Sequence, residues 1–189
     1  PRRQELCLHY LAHDKQTQNI KTQDHLREAF IKTAAAETFL AWQYYKSKHG
    51  NGANELIQNL KKGQIPPEFL RSMFYTFGDY RDICLDTDIS VKTAGSDITK
   101  AKNIINTIFN DSDKITNERE CQEFWEKYGK DIWKGMLCAL SYDTSQNNVN
   151  QETRKKLTEG NNNFEKVIFG SDSSTTLSKF SERPQFLRW

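Results

Sequence analysis

One uninterrupted stretch, residues 22–49, most restricts what this chain can fold into. It reads TQDHLREAFIKTAAAETFLAWQYYKSKH, with no Pro or Gly and no run of β-branched residues to oppose a helix. Leu26, Phe30, Ala34, Ala41 and Tyr44 fall on one stripe at helical spacing, and Phe39, Leu40 and Trp42 carry apolar surface round the sides. A helix apolar over so much of its circumference belongs inside a bundle, and Ala34, Ala35 and Ala36 predict close approach by a neighbour. Glu37 lies within that stripe. A desolvated carboxylate is costly without a cation or several donors, so the expected partner is Arg81, with Arg71 on the same helix as the runner-up and a groove leading Glu37 to solvent as the alternative to any pair. An Arg fork would hold Glu37 bidentately and set the register of the two helices.

The hydrophobic fraction is only 36%, yet 11 Phe, 7 Tyr and 4 Trp supply enough large side chains for a core. A net charge of +2 with no basic tail argues against a nucleic-acid partner. No apolar run approaches the ~20 residues needed to cross a bilayer, and no signal peptide stands at Pro1. The abrupt ends are those expected of an excised fragment. Cys7, Cys84, Cys121 and Cys138 are too scattered for a zinc or redox CxxC site. Their spacing leaves three disulfide pairings, or four buried thiols, open, and tilts only slightly towards disulfides.

Along the chain, residues 6–11 form a short turn or packed segment, a Gly/Asn-rich turn covers 49–53, and a short helix covers 54–62. Pro66 and Pro67 open a helix whose apolar face runs from Phe69 to Ile83, with Gly78 marking a kink or a close neighbour. Asp97 is expected to cap a helix over 98–109, and Thr116 or Asn117 one over 118–141. A short helix is expected over 152–160, then apolar-poor sequence to 182, with an exposed loop over 171–176 and an N-x-S sequon at Asn110. The fold class is all-α, a helical bundle with long irregular loops.

Little catalytic chemistry is visible. There is no phosphate-binding Gly loop, G-x-S-x-G or recognisable Cys–His signature, and no cofactor is implied. His9 and His13 have the i, i+4 spacing of metal ligands but lack the Glu of H-E-x-x-H, so packing histidines are the better reading. Asp86 and Asp88 match the start of a calcium loop, but Val91 replaces its Gly and Asp97 its Glu. Asp79 and Asp82 flank Arg81, which would neutralise one or both. Basic residues cluster at Arg2-Arg3, Lys46/Lys48, Lys61-Lys62 and Arg154-Lys155-Lys156, where an acidic protein surface or a sulfated polysaccharide would be accepted. A binding module is favoured over an enzyme.

Five blocks then carry a resemblance: PRRQELCLHYL at Pro1, AFIKTAAAETFLAWQYYKSK at Ala29, IPPEFLRSMFYTFGDYRDI at Ile65, FWEKYGKDIWKGMLCAL at Phe124 and PQFLRW at Pro184. In this order and spacing the chain resembles the Duffy-binding-like domains of the variant erythrocyte membrane protein family of Plasmodium falciparum. Phe77 to Asp82 and Cys84 look like its delta, epsilon or zeta-type members. The resemblance implies a disulfide-stapled adhesion domain outside an infected erythrocyte, on a protein anchored by a membrane span elsewhere. Residues 1–21 would end the first of three subdomains, 22–183 would form the helical second, and 184–189 would begin a truncated third. Implied partners are an endothelial adhesion receptor, immunoglobulin M or a sulfated glycan, with no direct membrane contact from these residues.

An extracellular setting strengthens the disulfide reading. The expected pairs are Cys7 with Cys138, both in shared apolar blocks, and Cys84 with Cys121, both at helix edges. Because the aromatic blocks are spent on the core, partner contacts are expected from the segments 46–52, 61–64 and 148–156. Their basic residues are Lys46, Lys48, Lys61, Lys62, Arg154, Lys155 and Lys156. A spacer domain without its own ligand and a glycan-binding module are the competing readings.

Overall fold

The computed structural model describes residues 6–88, 94–109, 114–170 and 174–188. Asn110, Arg2 and Arg3 lie outside them. The described elements are α1 (His9–Ala12), α2 (Asp14–Thr17), α3 (Gln23–Lys48), α4 (Ala53–Lys61), α5 (Pro67–Cys84), α6 (Asp97–Phe109) and α7 (Lys114–Leu140). A two-residue hairpin, β1 (Tyr142–Asp143) and β2 (Asn148–Val149), leads to α8 (Gln151–Glu159) and α9 (Leu177–Glu182). This is the all-α bundle expected, with a hairpin that no alternation announced.

The central helix α3 starts at Thr22, whose hydroxyl accepts the His25 amide, and stops where the His49 ring turns back onto the Tyr45 carbonyl. Its buried stripe is Leu26, Phe30, Ala34, Thr38 and Trp42, a strict i, i+4 series. Thr38 enters because its hydroxyl is satisfied within the helix by the Ala34 carbonyl at 2.8 Å. The expected course through Tyr44 is therefore wrong, while Ala41 is partly buried against the core beside the stripe. Tyr44 is 62% exposed, Leu40 is 57% exposed, and Glu37 stands half-buried on the flank.

The two longest helices, α3 and α7, lie side by side and run parallel. Asp24 meets Tyr128, Arg27 meets Asp131 at 2.8 Å, Ile31 meets Gly135 and Phe39 meets Tyr142. Close approach is bought at Gly135, where a Cβ would stand 2.8 Å from Ile31 Cγ2. Across this pair lies α5, with Phe77 against Trp125 and Trp133, and Phe74 against Trp133 and Phe180. The apolar-poor stretch before residue 183 thus holds a helix, α9, because Leu177 and Phe180 alone suffice to dock one turn.

Local capping differs from expectation in two places. Ser96, not Asp97, accepts the Thr99 amide at the start of α6. Since α7 begins at Lys114, Asn117 lies inside it and accepts from the Cys121 thiol. Residues 171–173 lie outside the description, but Thr175 is buried and its carbonyl accepts the Phe169 amide.

Candidate functional site

The buried ion pair joins Arg188 to Asp82, and the expected pair of Glu37 with Arg81 is not formed. Glu37 Oε2 accepts the Cys7 amide at 2.9 Å. Arg81 Nη1 instead donates to the Ser181 carbonyl at 3.3 Å, and burial pulls its pKa down against the opposing pull of Asp82 and Glu182. The alternative cation, Arg71, lies over the Phe169 ring. Arg188 enters from the chain end, donates to both Asp82 and the Ser181 carbonyl, and occupies the space left by Gly78. The neighbour expected at Gly78 is therefore Arg188, and it is Arg188 that neutralises Asp82.

All four cysteines are free thiols in this structure, so neither expected disulfide is formed. Cys84 and Cys121 are both buried: burial pushes the Cys84 thiol well up, and Cys121 adds to the rise. Cys121 is pushed up to about 11, by burial first and then by Glu120 and Asp86. Cys7 is held by Glu37 and by Tyr80, whose hydroxyl donates to its carbonyl at 2.9 Å. Cys138 shares a stripe of α7 with Asp131 and Gly135, the residues facing Arg27 and Ile31. Glu37 is roughly 120° round α3 from Ile31, so Cys7 and Cys138 address different sides of that helix.

Of the remaining motifs, Asp86 adopts φ 54° and pairs with the buried ammonium of Lys102. The His9 and His13 rings pack at 4.8 Å between centroids, with His9 also edge-on to Tyr10.

The basic segments converge in part. Lys46, from the end of α3, and Lys61, from the end of α4, line one cavity of about 210 Å³ with Trp42, Tyr142, Asp143 and Asn150. Lys156, on α8, donates to Glu152 Oε1 at 2.6 Å and to the Lys61 carbonyl at 3.3 Å. Gly63, at φ 82°, lets the α4 exit pass directly beneath Lys156. Burial lowers the pKa of Lys46 while Asp143 opposes it. Asp143 is held below the usual carboxylate range by the Ser145 hydroxyl and amide, with Lys61 adding a little. The hairpin carrying Asp143 thus reaches into the basic end, a contribution the charge runs did not reveal.

Lys62, Arg154 and Lys155 are exposed beside this cluster, with no carboxylate partner among the described residues. Lys48, also exposed, lies over the Tyr44 ring at 4.6 Å. No contact joins Lys48, Arg154 or Lys155 to the cavity itself. Among the described residues, no cluster of metal-ligating side chains occurs and no helix is long and apolar enough to cross a membrane.

The described residues thus form a helical scaffold with most of its large aromatic rings packed inside and a mixed-charge end outside. The family model for the Duffy binding domain matches residues 1–188, and the chain belongs to that family. Domains of this family are extracellular adhesion modules that bind host receptors. No curated protein and no solved structure matches the chain.

Proposed function

We propose that this chain is a host-receptor-binding domain of a parasite variant surface antigen, attaching infected erythrocytes to a host protein through the basic end of its bundle. The observation that supports this most is the meeting of Lys46 and Lys61, from two different helices, at one cavity, with Lys156 bonded to the Lys61 carbonyl beside it. A protein such as an endothelial adhesion receptor or immunoglobulin M suits this end better than a sulfated glycan. Asp143 and Glu152 stand among the lysines, so the surface offers both signs of charge rather than a purely cationic trough. Binding of the folded domain to a panel of these host proteins, with heparin as competitor, tests the reading. Saturable binding to a host protein that heparin does not displace supports it; displacement by heparin favours the glycan, and no binding favours a spacer.

A further inference from the structure

A second cleft, about 720 Å³ in volume, opens between the first turns of α5 and the connection 161–170. Its apolar wall is Ile65, Leu70, Phe74, Val167 and Phe169, and Ile168 stands 36% exposed at the mouth. The walls are fixed before any ligand arrives. Phe169 stacks on Phe180 at 4.4 Å and is 5.4 Å from Phe74, while its amide donates to the Thr175 carbonyl. On the opposite side Asn162 donates to the Gly63 carbonyl at 2.7 Å and accepts from Trp133 Nε1 at 2.8 Å.

Two cations border this apolar space. Arg71 lies over the Phe169 ring at 5.4 Å, a cation–π contact that uses the ring face and none of the guanidinium's hydrogen-bond donors. Lys166 is exposed on the facing wall. Neither side chain has a carboxylate partner among the described residues. Glu68 also borders the cleft without pairing to Arg71, so the rim carries one more cation than anion.

We infer that this cleft docks a peptide segment of a protein partner in which an aromatic or aliphatic side chain lies next to a carboxylate. The apolar side chain would fill the space against Phe74 and Val167, and the carboxylate would meet Arg71 and Lys166. A preformed apolar socket with an unpaired guanidinium at its edge has the make-up of an interface hot spot. The inference rests on the chain being a protein-binding module, but not on the lysine end, with whose cavity the cleft shares no lining residue.

The test is selection of random dodecapeptides displayed on phage against the folded domain, with an Ile168→Asp domain for counter-selection. Selected peptides are then measured by fluorescence polarisation against the parent, Arg71→Gln and Lys166→Gln, with circular dichroism confirming that each variant keeps its helices. The expected consensus pairs Phe, Leu or Trp with Asp or Glu, and its affinity falls about tenfold with Arg71→Gln or when its acid is made an amide. A consensus without an acid, affinity indifferent to Arg71, or sodium laurate binding where no peptide is selected overturns the proposal. Host-receptor binding that depends on the lysines and ignores the cleft variants overturns it too, while leaving the adhesin reading intact.

Discussion

Arg188 places its guanidinium where a side chain at position 78 would stand, so Gly78 is the socket that lets the end of the chain lock onto α5. Both members of the resulting Arg188–Asp82 pair are nearly inaccessible, at 2% and 3% side-chain exposure. Thr87 also donates to Asp82, and Arg188 donates to the Ser181 carbonyl, so remaining valences are met from several elements. Removing one partner strands the other charge inside. Arg188→Met or Asp82→Asn is expected to cost about 3–5 kcal/mol, and Asp82→Leu with Arg188→Met to recover much of it. Urea unfolding of the three variants measures this.

The same geometry makes a glycine substitution costly. Gly78→Ala forces the guanidinium aside and is expected to lose about 1–3 kcal/mol by thermal unfolding. Gly52→Ala is the control. Its added methyl meets only the His49 Cβ at 3.9 Å, and it should be neutral or gain up to about 1 kcal/mol.

Much of the bundle was legible because α5 and α7 carry their apolar residues at the spacing a single buried face requires. Along α3 the same reasoning held through Leu26, Phe30 and Ala34 and departed from the buried stripe at Thr38. Thr38 counts as polar by type but hides its hydroxyl on Ala34, so the stripe ran unrecognised into Trp42 while Tyr44 looked buried. The ion pair was sought for Glu37 because local patterning showed only that an acid lay near apolar residues. It could not show that the buried acid holding an ion pair was Asp82, whose cation sits 106 residues away in sequence. At the basic end, charge runs pointed to Lys46, Lys61 and Lys156, but Asp143 was hidden in a hairpin with no sequence signal.

For Glu37 the geometry gives a clear outcome. A double-mutant cycle between Glu37→Gln and Arg81→Met should show coupling below about 0.5 kcal/mol, because the two side chains have separate partners. Coupling of several kcal/mol would restore the expected pair.

We propose that oxidation joins Cys84 to Cys121, both buried, and does not join Cys7 to Cys138, which address different sides of α3. Peptide mapping without reduction should recover the first link alone; a Cys7–Cys138 peptide would contradict this placement.

In the reduced protein both thiols of that pair have raised folded pKa values, so the unfolded chain releases their protons first. Their contribution to stability is complete below the ordinary thiol value of 9.0 and declines as pH rises towards about 11. Urea midpoints of the reduced protein should fall across that alkaline window more steeply than those of a Cys84→Ala, Cys121→Ala variant.

The most direct test of the account is surface plasmon resonance of host adhesion receptors and immunoglobulin M on two folded proteins, the parent and Lys61→Glu/Lys62→Glu/Arg154→Glu/Lys155→Glu. All four positions are exposed, so circular dichroism of the two should coincide. The predicted result is a receptor that binds the parent and loses about tenfold or more in affinity on the variant, mainly through slower association. Equal binding by the two proteins would contradict the placement of the partner at the basic end.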